Sequence, residues 1–135
     1  MSAATDAARY VQDSIITASP GRLLVMLYDR LALDLARAGD ALAAGDRQTA
    51  HIRLIHAQDI VSALDASLDH TAGWAASKNL AALYTWLSLE LVQVNVRGDL
   101  ARLQACQDVV EPLRQSWHQA LEATATAGTD SRLVG

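Results

Sequence analysis

The stretch that decides the fold runs over residues 19–46 and reads SPGRLLVMLYDRLALDLARAGDALAAGD. Ser19 can cap the free N–H groups at the start of a helix, and Pro20 suits the first helical position because no N–H donor is needed there. Gly45 then ends the helix, and Asp46 caps the next one. The stretch therefore predicts one long helix from Pro20 to the residue before Gly45, followed by a tight turn into a second helix.

Apolar residues recur every three or four positions along this helix, which is the spacing that lines one face of an α-helix. This stripe consists of Leu24, Leu27, Leu31, Leu35, Ala38 and Leu42. The same spacing predicts three more helices, at about 47–69, 74–96 and 100–124, and Gly98-Asp99 repeats the stop-and-cap pattern. Because short turns make neighbouring helices antiparallel, we expect an all-α fold, an antiparallel up-down-up-down four-helix bundle.

The predicted helices divide the chain into three parts. Residues 1–16 are mostly small and polar and are expected to form a short, mobile N-terminal segment. Residues 17–124 form the four-helix bundle domain, and residues 125–135 are expected to be a frayed C-terminal tail. Pro112 lies inside the fourth helix, where it removes a backbone hydrogen bond, so we expect a bend near Asp108.

Composition limits the classes of function that the chain can serve. Of its 135 residues, 51% are apolar and only 4% are aromatic, which is typical of a helical bundle. The net charge is −4 and Lys78 is the single lysine, so we expect no nucleic-acid partner and no anionic membrane surface. No signal-peptide pattern occurs, and no apolar run approaches the roughly 20 residues of a membrane span. We expect a cytoplasmic protein that does not insert into membranes.

No arrangement of residues predicts catalysis. His51 and His56 are five residues apart, so they do not share a helix face as a metal-binding pair at i and i+4 would. Cys106 lies on the apolar stripe of the fourth helix and is expected to be a buried, inert thiol. Asp65 and Asp69 are interpreted as a solvated face rather than as an acid/base pair. We expect no catalytic residues, no metal, no cofactor and no enzyme activity.

Apolar residues outnumber those that one core-facing stripe per helix requires, above all on the second and third helices. Some of them widen the side of the helix that faces the core. The others would form an exposed groove that accepts an amphipathic helix of a partner, or an interface between two copies of the chain. The predicted groove residues are Ile52, Ile60, Trp86, Leu89 and Val96.

A family resemblance then follows from the segment TASPGRLLVMLYD at residues 17–29, which resembles the opening of the flagellar export chaperones of the FliS family. Weaker similarities follow in the family's order, at Tyr10, at 57–69, at 79–84 and at 113–117. The resemblance covers about residues 10–120 and implies an antiparallel four-helix bundle, the fold that the helix pattern predicts independently.

The resemblance also implies a function. Members of the family bind the C-terminal helical region of newly made flagellin in the cytoplasm and prevent its premature polymerisation. They deliver it to the flagellar type III export gate, where the cytoplasmic domain of FlhA recognises the loaded complex. By resemblance Tyr10 takes part in gate recognition; the alternative is that Tyr10 packs against the first helix. Two other hypotheses stay open: a self-associating structural or adaptor bundle, which would be a homodimer, and a small helical enzyme or metal carrier.

Overall fold

Four helices make up the part of the chain that the structure, a computed structural model, describes: residues 20–68 and 75–134. They are α1, α2, α3 and α4, with bounds Pro20–Ala43, Arg47–Ser67, Ala75–Arg97 and Leu100–Val134. No strand occurs within these residues. The predicted all-α class is therefore confirmed, while Tyr10, Ser19 and the predicted loop at 70–73 lie outside the described residues.

The packing order follows the chain order. Each helix packs against the next one in sequence, and α4 returns to pack against α1, which closes the ring. Because the turns from α1 to α2 and from α3 to α4 are only a few residues long, these neighbours are antiparallel. This arrangement is the predicted up-down-up-down bundle, and it places α2 and α3 on the opposite side of the molecule from the junction of α1 and α4.

Both short turns use a glycine followed by an aspartate, as the sequence predicts. Gly45 has φ +77° and Gly98 has φ +63°, in the left-handed region that ends a helix without steric penalty for glycine. Asp46 then accepts a hydrogen bond from the Thr49 backbone N–H at 3.1 Å. Asp99 accepts from the N–H groups that open α4 in the same way. The chain therefore reverses direction at low cost at both turns.

The core contains one apolar face from each helix. Leu31, Leu35 and Ala38 of the predicted α1 stripe are fully buried, and the remaining stripe residues pack against them while partly exposed. Burying one leucine contributes about 1.5–3 kcal/mol, so a shared core of this kind dominates the stability of the bundle. Cys106 is also fully buried, and this burial raises the pKa of its thiol to about 11. The thiol is therefore protonated at neutral pH and is a poor nucleophile.

Two tyrosines join α1 and α3 across the centre of the bundle. The hydroxyl groups of Tyr28 and Tyr84 lie 2.7 Å apart, and both residues are buried. Burial, together with this hydrogen bond, raises the pKa of Tyr84 well above its ordinary value. The Tyr28 ring also contacts Trp117 of α4, with ring centroids 6.2 Å apart. This pair is a directional contact between diagonal helices that apolar packing alone would not provide.

A buried carboxylate lies between α1 and α2. Asp34 is fully buried, and its Oδ2 contacts the imidazole Nδ1 of His56. Arg53 Nη1 lies 3.7 Å from Oδ1, and Arg30 Nε lies 3.6 Å from Oδ2. An ionised carboxylate is costly to bury unless opposite charges or donors surround it. Here Arg30 of α1 and two α2 groups, Arg53 and His56, do so, and the two α2 groups hold α1 and α2 in one register.

A second charged cluster connects α1 and α4 at the surface. Asp29 lies 2.7 Å from His118 Nε2 and 3.1 Å from Arg114 Nη1, and Arg114 also holds Glu111 at 2.8 Å. Partial burial raises the pKa of Asp29, but the hydrogen bonds from His118 and Arg114 outweigh it, so the pKa lies below its ordinary value. These groups are substantially exposed, so the cluster orients the two helices more than it stabilises them.

Helix α4 differs from its predicted end. It continues as a helix through Val134 rather than ending near Thr124, because residues 113–134 contain no proline and only one glycine, Gly128. Helix α2 ends at Ser67, two residues before its predicted end. The predicted division of the chain into segment, bundle and tail stays a prediction, as does the bend near Asp108. Helix α4 is assigned without a break across Pro112.

The tyrosine pair leads to a stability prediction. Tyr84→Phe leaves the buried hydroxyl of Tyr28 without its partner, so the free energy of unfolding should fall by about 1–3 kcal/mol. Replacing both tyrosines by phenylalanine removes both hydroxyls and should cost less than Tyr84→Phe alone. Chemical denaturation followed by circular dichroism measures both variants. A double variant less stable than the single one would contradict a hydrogen bond between the two hydroxyls.

Pro112 leads to a second stability prediction. Pro112 is exposed, and Pro112→Ala restores an N–H that can donate to the Asp108 carbonyl within the helix. The variant should be more stable, by up to about 3 kcal/mol, and its melting temperature should rise. Gln115→Ala, also exposed on α4, is the control and should change stability by no more than about 0.5 kcal/mol. Loss of stability in Pro112→Ala would mean that the packing of α4 against α1 requires the proline.

Candidate partner-binding surface

The register of α2 against α3 is set by polar contacts at one end of the pair. Arg47 donates from Nη2 to the backbone carbonyl oxygens of Asn95 and Val96, at 2.9 and 3.3 Å. His51 Nδ1, one turn along α2, lies 3.1 Å from the Asn95 side-chain oxygen. Gly98 makes room for this contact, since a Cβ there would lie 2.2 Å from Arg47 Nη1. The start of α2 therefore lies beside the end of α3.

Exposed apolar residues continue from this polar end along both helices. Because His51 contacts Asn95, helical periodicity brings Ile55 of α2 and Val92 of α3 to neighbouring positions one turn further on. Both are substantially exposed, at 40% and 43%. The apolar patch, as we name it, consists of these two residues and three flanking ones: Ile52, Ile55, Leu89, Val92 and Val96.

Three of the five predicted groove residues belong to this patch. Ile52, Leu89 and Val96 are 56%, 65% and 71% exposed, which is unusual for large aliphatic residues. Ile55 and Val92, which the sequence marks as surplus, were missing from the predicted groove. Only their position between the other patch residues identifies them, and that position depends on how α2 pairs with α3.

The other two predicted residues lie elsewhere. Ile60 is only 6% exposed and belongs to the core, so its assignment to an exposed groove is wrong. It lies three residues after Ala57 and four before Leu64, so a wide core-facing side of α2 includes it. Trp86 is 37% exposed, but Glu90, one turn further along α3, is bonded to Arg102 of α4. Trp86 therefore lies on the α4 side of α3, beside the patch rather than within it.

A small notch borders the patch at the end away from Arg47. It is a cavity of about 210 Å³ between α2 and α3, to which Leu89 of the patch contributes. The other lining residues are Ser62, Asp65, Tyr84, Thr85 and Ser88. The surface between α2 and α3 is therefore apolar along most of its length, and the notch adds hydroxyl groups and one carboxylate at one end of a lining that is itself mostly apolar.

Two more grooves lie on the opposite side, between α1 and α4. The larger, about 580 Å³, opens beside Pro112 and is mainly polar at its α4 wall, with Gln104, Asp108 and Glu111. The smaller, about 290 Å³, is apolar and includes Leu24 and Trp117. The indole Nε1 of Trp117 is buried and has no hydrogen-bond partner among the described residues. A long partner segment could therefore find a second contact region away from the patch.

The three histidines in the described part of the chain each contact a side chain of a neighbouring helix. His51, His56 and His118 contact Asn95, Asp34 and Asp29 respectively. Within residues 20–68 and 75–134, no three histidine, cysteine, aspartate or glutamate side chains cluster as metal ligands would. No helix in these ranges is long and apolar enough to span a bilayer. The apolar patch is a surface feature that the packing of the bundle does not require.

Comparisons with known proteins agree on one family. The family model described as "Flagellar protein FliS" matches residues 2–124. The flagellar secretion chaperone FliS of Bacillus subtilis (strain 168) is 32% identical over 114 residues, which cover 84% of each chain. That of Salmonella typhimurium (strain LT2) is 29% identical over 115 residues, covering 81% of this chain and 82% of the relative.

A solved structure shares the fold. It is described as "Crystal structure of flagellar chaperone from bacteria" and superposes with a TM-score of 0.72. The match covers 88% of this chain and 97% of the other, at 22% sequence identity. At this level of identity the comparison supports the bundle architecture alone.

Proposed function

Since the chain belongs to the FliS family of flagellar secretion chaperones, we propose that it binds the C-terminal helical region of flagellin in the bacterial cytoplasm. The observation that carries this proposal is the apolar patch on α2 and α3. A pair of antiparallel helices with exposed aliphatic residues along their junction is a surface on which an amphipathic helix can lie. The bound segment would be kept from premature polymerisation because its own apolar face is covered.

The size of the patch bears on how the client must bind. Its five residues are 40–71% exposed, so covering them contributes roughly 1 kcal/mol each and roughly 5 kcal/mol in total. A micromolar complex requires about 8 kcal/mol, and ordering a flexible segment costs more still. The client therefore has to contact more than the patch. A long segment that wraps around the bundle and reaches the grooves between α1 and α4 meets this requirement.

Delivery is the second part of the proposal. The loaded chaperone would be recognised at the flagellar type III export gate by the cytoplasmic domain of FlhA, with Tyr10 as a contact residue. The role of Tyr10 rests on the family resemblance alone. The protein acts by binding, without catalysis and without a cofactor, because coverage of the client's apolar face is all that the task requires.

The main test measures how much flagellin the purified chaperone captures. It compares full-length flagellin with flagellin that lacks its last ~40 residues, because such surfaces accept long helices of about this length. We expect capture of the full-length protein only. Leu89→Asp places a charge in the patch and should abolish capture. Leu33→Asp is the matched control, because Leu33 is 39% exposed on α1, away from the patch, and its substitution should leave capture unchanged.

Two outcomes would contradict the proposal. Equal capture of the complete and truncated flagellins would exclude the C-terminal region as the client segment. Equal loss in Leu89→Asp and Leu33→Asp would mean that the patch has no special role. Thermal melts of both variants check that they fold.

The alternative is a self-associating adaptor in which the same patch forms a homodimer interface. Light scattering at increasing protein concentration distinguishes the two hypotheses. We expect a monomer, or a dimer that dissociates when flagellin is added, because client and second copy would compete for the patch. A stable dimer that Leu89→Asp disrupts, together with no capture of flagellin, would favour the alternative.

A further inference from the structure

The notch at the end of the apolar patch contains a carboxylate that has no partner among the described residues. Asp65 lines the notch and is half-buried between α2 and α3. Among the described residues its carboxylate has no hydrogen bond and no ion pair. Other carboxylates at helix junctions differ, since Asp29, Asp34 and Glu90 each lie within ion-pair distance of an arginine. Asp65 is thus a carboxylate that the described part of the bundle does not neutralise.

The end of α2 adds to the negative potential at this notch. Helix α2 ends at Ser67, so Asp65 lies in its last turn, and that turn has no basic residue. The last carbonyl groups of a helix carry about half a negative charge, so a carboxylate is disfavoured there and a cation is favoured. Two sources of negative potential therefore coincide, and no positive group within residues 20–68 and 75–134 forms an ion pair with Asp65.

The remaining walls of the notch supply oxygen acceptors. The hydroxyl of Thr85 donates to the Ala81 carbonyl at 3.0 Å, which leaves its lone pairs free, and Ser62 and Ser88 add two further hydroxyls. The Tyr84 hydroxyl is bonded to Tyr28. A lysine ammonium has three N–H donors and an arginine guanidinium has five, and neither has an acceptor. An acceptor-rich notch with a carboxylate suits either group.

We propose that the notch receives a lysine or arginine side chain of the client segment and that Asp65 thereby sets the register of this segment along the apolar patch. This inference rests on the function proposed above, because it requires a client on the patch. Leu89 belongs to both the patch and the notch, so the basic residue lies close along the client to the apolar residue that covers Leu89.

Register needs such a contact because apolar burial is not directional. A client helix could slide by one turn along five aliphatic residues and still bury a similar area. A charge pair in a partly enclosed notch forms in only one of these positions, and the other positions leave Asp65 covered without a partner. Asp65 is therefore a specificity-determining residue, while the patch supplies most of the affinity.

The test uses a labelled peptide that consists of the last ~40 residues of flagellin, the same length that is removed in the capture assay. Fluorescence anisotropy measures the dissociation constant of its complex with the chaperone. Asp65→Asn keeps the size of the side chain and removes the charge, and Asp65→Lys reverses it. We expect binding to weaken several-fold for Asp65→Asn and about tenfold or more for Asp65→Lys. Asp40→Lys is the matched control, since Asp40 is exposed on α1 and belongs to neither the patch nor the notch, and it should change the constant less than about twofold.

A charge-reversal series makes the test specific. Each lysine or arginine of the peptide is replaced in turn by glutamate, and each peptide is measured with the wild-type chain and with Asp65→Lys. One position should weaken binding to the wild-type chain and restore binding to the variant. A merely structural role of Asp65 would give no such rescue at any position. The wild-type chain should also lose affinity as salt rises from about 50 to 300 mM, and Asp65→Asn should lose less.

The two proposals fail in different ways. If the wild-type chain binds the peptide and Leu89→Asp does not, while Asp65→Lys binds like the wild-type chain, the role of Asp65 is refuted and the chaperone function stands. Weakening by Asp65→Lys without rescue at any position also refutes the notch as a site for a basic side chain. If the wild-type chain binds no peptide, the client function fails and the role of Asp65 fails with it.

Discussion

Two short turns constrain the whole bundle. Gly45 and Gly98 end their helices in left-handed backbone, and the aspartates that follow cap the next helices within one or two residues. Helices joined this closely have to run antiparallel side by side, so α1 pairs with α2 and α3 pairs with α4. Closing the ring then leaves α2 beside α3. The junction that carries the exposed apolar patch is therefore a consequence of the turns, although neither turn contributes a residue to the patch.

Polar contacts fix how the neighbouring helices of this bundle are aligned along their length. Asp34 with His56 and Arg53 links α1 to α2, Arg47 and His51 with Asn95 link α2 to α3, and Asp29 with His118 links α1 to α4. Each contact joins neighbouring helices at one level along their length. The proposed role of Asp65 is the same kind of contact between the chaperone and its client. Burial of apolar area provides the affinity, and one charged pair decides the position of the client along the patch.

The predicted groove shows why a count of apolar residues in the sequence does not identify the residues of an exposed groove. Ile60 looked surplus because a stripe of positions three and four apart already filled the face of α2, yet it is buried. The core-facing side of a helix in a four-helix ring spans two neighbours and is wider than one stripe. Trp86 is exposed but lies on the α4 side of α3, whereas Ile55 and Val92 complete the patch. These outcomes depend on the angle at which each helix meets its neighbours.

The amino-acid sequence by itself determined the helical class, both Gly-Asp turns, the bundle topology and the family, because these depend on local backbone preferences, helical periodicity and a recognisable motif at residues 17–29. Only the tertiary structure decided which surplus apolar residues are exposed together and that Asp65 lies half-buried beside them, with no partner among the described residues. In the sequence Asp65 has the pattern of a solvated residue. Its surroundings come from α3, across a junction whose register is set by contacts between residues more than forty positions apart.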